Sequence, residues 1–277
     1  MRLVWQLVAV LAVSFLGSQG LALVGDNPWP ALAVGLATAV LAVLVYAWVV
    51  RSTEHRVVVE VSRRGAVSGL GWGTLLGVAL FGLVIVNLAF LGSYTVHGLG
   101  TVTGAVGLVG FMAAAAVGEE LMFRGVLFRI IEGWTGTWIA LTVTSLLFGL
   151  AHLVNPNATL WGALAIAIEA GGMLTAAYVA TRKLWVPIGL HLGWNIAGSA
   201  IFSTEVSGND TPQGLLDAST SGPVLITGGE FGPEGSVYSI VFCVLAATAF
   251  IWVAYRRGHM VPLRRSARAN TAATLPR

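Results

Sequence analysis

A chain of 277 residues with 56% hydrophobic and only 10% charged side chains, at a mean hydropathy of +0.83, cannot keep its surface wet as a soluble globule and belongs in a bilayer. The formal net charge of +3 and a pI near 9.4 do not call for nucleic acid as a partner, because the basic residues follow membrane topology instead. The single cysteine, Cys243, excludes an intramolecular disulfide.

Apolar windows long enough to cross a hydrocarbon core of about 30 Å at about 1.5 Å per helical residue lie at 3–24, 31–50, 71–92, 102–131, 137–154, 159–180, 185–203 and 237–255. They predict an all-α polytopic membrane helix bundle of about eight transmembrane helices, forming one domain over 1–277. The first span follows Arg2; its apolar run is too long for a signal peptide and has no small-residue cleavage site, so it reads as a retained helix. "VVVEVSRR", 57–64, reads as a short interfacial helix or strand, or as a plain connection. No internal repeat is visible, which counts against an inverted-repeat carrier. The segment 204–236 is rich in Gly, Pro and acidic residues and free of basic ones, and reads as an extracytoplasmic loop with little core of its own.

Lys and Arg set the orientation. Arg2, the loop 51–70 with Arg51, Arg56, Arg63 and Arg64, the helix ends at Arg129, Arg182 and Lys183, and the tail from Arg256 to Arg277 all fall on one side; the loops 25–30, 93–101, 155–158 and 204–236 carry none. Both termini are therefore expected in the cytoplasm. The basic tail 256–277 is expected to be disordered and to face anionic lipid headgroups. The Ala-, Gly- and Val-rich composition suggests a bacterial cytoplasmic membrane.

Charge inside the spans needs a reason, since each ionisable group at mid-membrane costs about 2.5–3.5 kcal/mol on insertion scales. "MAAAAVGEELMFRGVLF", 112–128, holds Glu119, Glu120 and Arg124. Glu120 and Arg124 are four apart and can pair. Glu119 points about 100° away, without a partner in its own helix, in the manner of a general base or acid. A purely structural knot between helices is the bland alternative for all three. "FGLAH" places Phe148 and His152 on one helix face, and "HLGWN" does the same for His191 and Asn195. Glu169 reads as a partner for a neighbouring helix or as a cavity lining; His55, His97 and His259 read as solvated.

Two chemistries remain open. Glu119, His152 and His191 could hold a divalent metal such as zinc with an open water position. Alternatively Glu119 and His152 could activate water directly, while His191 and Asn195 donate hydrogen bonds to a developing oxyanion. Other proteolytic arrangements lack their residues: Asp26, Asp210 and Asp217 all lie in loops, H-E-x-x-H is missing, the sole lysine Lys183 ends a helix, and no G-x-S-x-G elbow is present.

"EELMFR", "FGLAH" and "HLGWN" follow in order on membrane spans, as E-E-x-x-x-R, F-x-x-x-H and H-x-x-x-N. Together they resemble the CPBP family of intramembrane proteases, which includes the Rce1-type CAAX prenyl proteases and the bacteriocin-processing and self-immunity proteins. The resemblance covers about residues 102–203. It implies an intramembrane endopeptidase acting on a peptide or membrane-protein substrate, with Glu119 as catalytic glutamate, His152 beside it, His191 and Asn195 completing the site, and Glu120, Arg124 and Phe148 in support. A catalytically silent immunity or peptide-binding member is the rival. A proton-coupled carrier using Glu119 and Glu169 is a weaker one.

Straight helices would strand His152 near the outer end of the fifth span and His191 nearer the inner end of the seventh. A single site therefore requires the turn "VNPNA", 154–158, to be drawn into the bundle. The expectation is a polar cavity bounded by the fourth, fifth and seventh helices, with neighbouring polar atoms about 3–6 Å apart.

Overall fold

Apolar runs unbroken by interior proline leave the backbone no hydrogen-bond partner but itself, so they wind into helices. The computed structural model describes residues 1–263. In order, α1 is Arg2–Val24, α2 Pro28–Glu54, α3 Ala66–Phe90, α4 Val102–Thr135, α5 Thr137–Val154, α6 Leu160–Thr181 and α8 Val237–Arg256, and these seven are long and apolar enough to cross a membrane. Between α6 and α8 lies α7, an α-helix over Trp185–Asn195 continued by π-helical turns over Ile196–Ile201. The predicted spans are thus present as helices, the seventh being the shortest. The disordered tail expected over 256–277 lies, from residue 264 on, outside the described residues.

Local chemistry sets the helix starts. Pro28 opens α2, where its missing N–H costs nothing. Thr101, Thr159 and Ser236 cap α4, α6 and α8, each side-chain oxygen accepting a backbone N–H three residues on. Large apolar side chains such as Phe15, Leu16, Leu44, Trp48, Trp72 and Leu83 are exposed on the outer faces. A soluble protein does not present such a surface, and it marks the chain as an integral membrane protein.

α3 and α7 approach to backbone contact. A Cβ on Gly77 would lie 2.2 Å from the Leu190 carbonyl oxygen, and one on Gly193 would lie 2.1 Å from that of Thr74. Gly73 and Gly189 meet the opposing backbone as closely, at 2.4 and 2.3 Å. Small residues at this spacing let two membrane helices interlock. Gly77→Val is accordingly expected to cost about 3 kcal/mol, at the upper end of overpacking, read as a lower thermal midpoint and less monodisperse protein in detergent; an unchanged midpoint would show that the helices can part.

Arg129, read from the sequence as a helix end, lies inside α4 and is tied inward. Its guanidinium donates to Glu54 Oε2 at 2.8 Å and to the Gln6 carboxamide oxygen at 2.9 Å. "VVVEVSRR" forms a 3-10 turn, Val59–Val61, whose buried Glu60 accepts from Tyr46 and from Arg56. The Glu60 carboxylate holds the Arg56 guanidinium above its ordinary range.

Two features depart from the sequence reading. Strands β1, Tyr94–Leu99, and β2, Leu216–Thr220, pair antiparallel with an irregularity between Val96 and Gly98. The second departure is larger. The segment 204–236 does not stand away from the bundle but buries Thr204, Val206, Ser207, Phe231 and Glu234. Phe231 packs with Phe123, Phe148 and Ile166 in one apolar cluster. The polar composition of the segment hid this, because its few buried side chains are spaced without period among glycines and acids.

Candidate active site

α4 carries the acidic pair at the point where its winding changes, α-helical through Glu120 and π-helical over Leu121–Phe128. The same change follows Asn195 in α7, and a third π stretch, Ala167–Gly171, contains Glu169. π turns in membrane helices free backbone geometry locally and often coincide with functional residues.

Glu120 and Arg124 form the pair expected of them, Arg124 Nη1 donating to Glu120 Oε1 at 2.7 Å with both side chains fully enclosed. Arg124 spends its other donors on Thr175 Oγ1 and the Ala170 and Gly171 carbonyls, bridging α4 to α6. Its guanidinium carbon stands 4.6 Å above the centre of the Phe148 ring, a cation–π contact. Phe148 in turn lies 4.8 Å from the His152 ring and 6.1 Å from that of His191. The motif phenylalanine is thus the wedge around which Arg124 and both imidazoles are arranged.

Each imidazole is oriented through Nδ1. His152 Nδ1–H donates to the Phe148 carbonyl oxygen at 2.7 Å, and His191 Nδ1–H donates to Glu120 Oε1 at 3.0 Å. Since neither a carbonyl nor a carboxylate paired to arginine can donate in return, the proton of each neutral ring is fixed on Nδ1 and Nε2 is left bare. Both Nε2 atoms face one atom: Glu119 Oε2 is 3.9 Å from that of His152 and 3.9 Å from that of His191. Glu119 Oε2 has no hydrogen-bond partner of its own. The Glu119 side chain keeps 29% of its surface exposed while Glu120 keeps none, so the two adjacent glutamates differ in access, one open and one locked.

Glu119, His152, His191 and Asn195 line one cavity of about 270 Å³, with Phe111, Met122 and Phe123 as apolar wall. The structure therefore brings all four candidates to one cavity bounded by α4, α5 and α7 as expected, and the two 3.9 Å separations of Glu119 from His152 and His191 fall within the expected 3–6 Å. The segment 204–236 closes the cavity with Val206, Ser207 and Asn209, a wall the sequence did not announce. Glu119 also borders a second cavity of about 180 Å³ lined by Ser14, Ser18 and Thr38 of α1 and α2. Glu169 stands apart from Glu119: it lines a separate space of about 10 Å³ behind His191 and Asn195, together with Glu234 and Cys243. Neither Glu169 oxygen is hydrogen-bonded.

Two imidazoles and a carboxylate are the donor types that zinc takes, but tetrahedral bonds of about 2.0–2.1 Å set neighbouring donors about 3.3–3.4 Å apart. The 3.9 Å spacings are wider, and among the described residues no group of three or more His, Cys, Asp or Glu has the arrangement of a metal site. A water donating one hydrogen to Glu119 Oε2 and the other to His152 Nε2, at about 2.8 Å from each, spans that 3.9 Å gap without movement.

Sequence reasoning missed Glu234, whose carboxylate is buried in the wall beside the site. It accepts from Trp194 Nε1 at 2.8 Å and from Ser207 Oγ at 2.7 Å. Burial pushes its carboxyl above the usual range, and the hydrogen bonds from Ser207 and Trp194 work against that push. A lone glutamate in "FGPEGS" has no signal to distinguish it from a solvated loop acid.

Residues 101–197 match the family described as Type II CAAX prenyl endopeptidase Rce1-like. The chain is also similar to "Putative membrane peptidase YdiL" of Bacillus subtilis (strain 168), at 28% identity over 151 residues, covering 49% of this chain and 59% of that protein. No solved structure matches. The matched stretch contains "EELMFR", "FGLAH" and "HLGWN" entire, so residues 101–197, where the site is built, are similar to the Rce1-like family.

Proposed function

We propose that the protein is an intramembrane endopeptidase that hydrolyses a peptide bond with a water activated by Glu119 and His152. The observation that carries this reading is the unpartnered Glu119 Oε2 set 3.9 Å from two bare imidazole nitrogens, each oriented through its other nitrogen. Glu119 takes a proton from the water as its oxygen attacks the scissile carbonyl carbon, and His152 Nε2 accepts the water's other hydrogen to aim it. The oxyanion receives a hydrogen bond from the Asn195 carboxamide and another from Nε2–H of His191, which takes a proton from solvent before the attack and returns it after the products leave. Glu119 then passes its proton to the leaving nitrogen, the C–N bond breaks, and an acid and an amine result.

The apolar wall of Phe111, Met122 and Phe123 suits a peptide with apolar side chains. The distribution of basic residues supports both termini inside, and the Ala-, Gly- and Val-rich composition supports a bacterial cytoplasmic membrane; membrane lipid is the surrounding partner. The 3.9 Å spacings of Glu119 from His152 and His191 are wider than a zinc shell sets, which favours the direct reading, and no step is routed through a metal.

The test compares membrane peptides from cells carrying the wild-type protein or Glu119→Gln, by mass spectrometry. A peptide that accumulates uncut only with the variant is expected; identical peptide pools would leave the silent peptide-binding reading in place. Chelation gives a second measurement. Cleavage by purified protein is expected to survive a strong chelator, and loss restored by added zinc would assign Glu119, His152 and His191 to a metal.

A further inference from the structure

The two imidazoles sit on different helices, and something must hold those helices in register at the site. α5 ends at His152 in a 3-10 turn, His152–Val154, and the chain then reverses through Asn155 to Ala158. That turn is not self-supporting: Asn155 Nδ2 donates to the Ser207 carbonyl at 2.7 Å, and the Asn157 N–H donates to the Gly208 carbonyl at 3.0 Å. Ser207 and Gly208 both adopt left-handed backbone, at φ 54° and 71°. Such conformations persist where the surroundings over-determine them. A Cβ on Gly208 would lie 2.9 Å from the Asn157 carbonyl carbon, so the two segments are pressed together.

Glu234 connects this clamp to the other helix. One carboxylate oxygen takes the Ser207 hydroxyl, and the other takes the indole N–H of Trp194, which lies between His191 and Asn195 on α7. Glu234 is itself fixed from below: the Pro233 carbonyl accepts from Ser239 Oγ at 2.6 Å, and the Gly235 carbonyl accepts from Trp161 Nε1 at 2.7 Å. We infer that Glu234 is a positioning residue, holding through Ser207 the turn that carries His152 and through Trp194 the helix face that carries His191 and Asn195, so that one loop side chain sets the distance across the site. The inference rests on the proposed hydrolysis for its kinetic arm only. Glu234 lies outside the segment 101–197 that carries the motifs.

Both contacts are hydrogen bonds that an amide can keep. In Glu234→Gln the amide oxygen can accept from Trp194 and the amide nitrogen can donate to Ser207 Oγ, whereas Glu234→Ala loses both. The test measures cleavage kinetics together with hydrogen–deuterium exchange of the intact protein. Glu234→Ala is expected to lower kcat about 100-fold, the scale of a misplacement near 1 Å, with KM within about twofold. It should also speed exchange in 152–158 and 190–195. Glu234→Gln should stay within about threefold of wild type in kcat and match its exchange. Ser207→Ala, a milder change should Glu234→Ala fail to fold, should speed exchange in 152–158 more than in 190–195.

Glu234→Gln as damaged as Glu234→Ala would show that the charge matters rather than the hydrogen bonds, and would overturn the inference. So would unchanged exchange at 152–158 in Glu234→Ala or Ser207→Ala. A wild-type protein that cleaves nothing would defeat the proposed hydrolysis, while the exchange measurement would still decide the role of Glu234.

Discussion

Glu119→Gln is expected to lower cleavage about 10³-fold, within the range that a positioned general base contributes, without loss of folded protein. The amide fills the same volume and removes only the group that takes a proton from water. Stability should hold because Glu119 Oε2 makes no hydrogen bond that the substitution could break, and because the side chain already reaches the cavity rather than sealed packing. His152→Ala should lose activity on a similar scale, since it removes the nitrogen that aims the water while the Phe148 carbonyl keeps its place in the helix. The measurement is initial rate per mole of monodisperse protein, with thermal midpoint alongside. Full activity in Glu119→Gln would remove Glu119 from the role of base.

Glu120→Gln should do the reverse and act first on folding. Its Oε1 accepts from Arg124 at 2.7 Å and from His191 at 3.0 Å, in a place with no solvent exposure. Breaking a buried pair from one side leaves a charge uncompensated and costs about 3–5 kcal/mol. The carbonyls of Ala170 and Gly171 and the Thr175 hydroxyl still hold the guanidinium, which sets the expectation at the lower end of that range. The variant should give less folded protein and a lower thermal midpoint. The portion that folds should also cleave slowly, because His191 has lost the carboxylate that fixes its tautomer. A midpoint equal to wild type would mean that Glu120 carries little of the charge balance at Arg124.

Much of this site could be read from residue spacing. The four-residue intervals Glu120 to Arg124, Phe148 to His152 and His191 to Asn195 each set two side chains on one face of a helix, which the structure retains. The meeting of the three faces at one cavity was expected, but the π winding after Glu120 and after Asn195 could not be read, because a π turn is a matter of which carbonyl a backbone N–H reaches. Apolar sequence carries no mark of that choice. The loop 204–236 was illegible for another reason: Ser207 and Glu234 act through partners on α7 and at residues 155–158, distant in sequence. β1 and β2 escaped notice likewise, since each is short and finds its partner more than a hundred residues away.

The glycine-to-backbone contact of α3 with α7 has a consequence for how such a chain can diverge. With carbonyl oxygens filling the places where side chains would start at Gly73, Gly77, Gly189 and Gly193, the helix bearing His191 and Asn195 has no slack to rotate or slide. Inherited variation in what the site accepts must therefore accumulate on the opposite wall. There Phe111, Met112 and Met122 line the cavity, and methionine tolerates exchange and reshapes at little cost. One flank of the site is a fixed anvil, and the other is where new substrates would be learned.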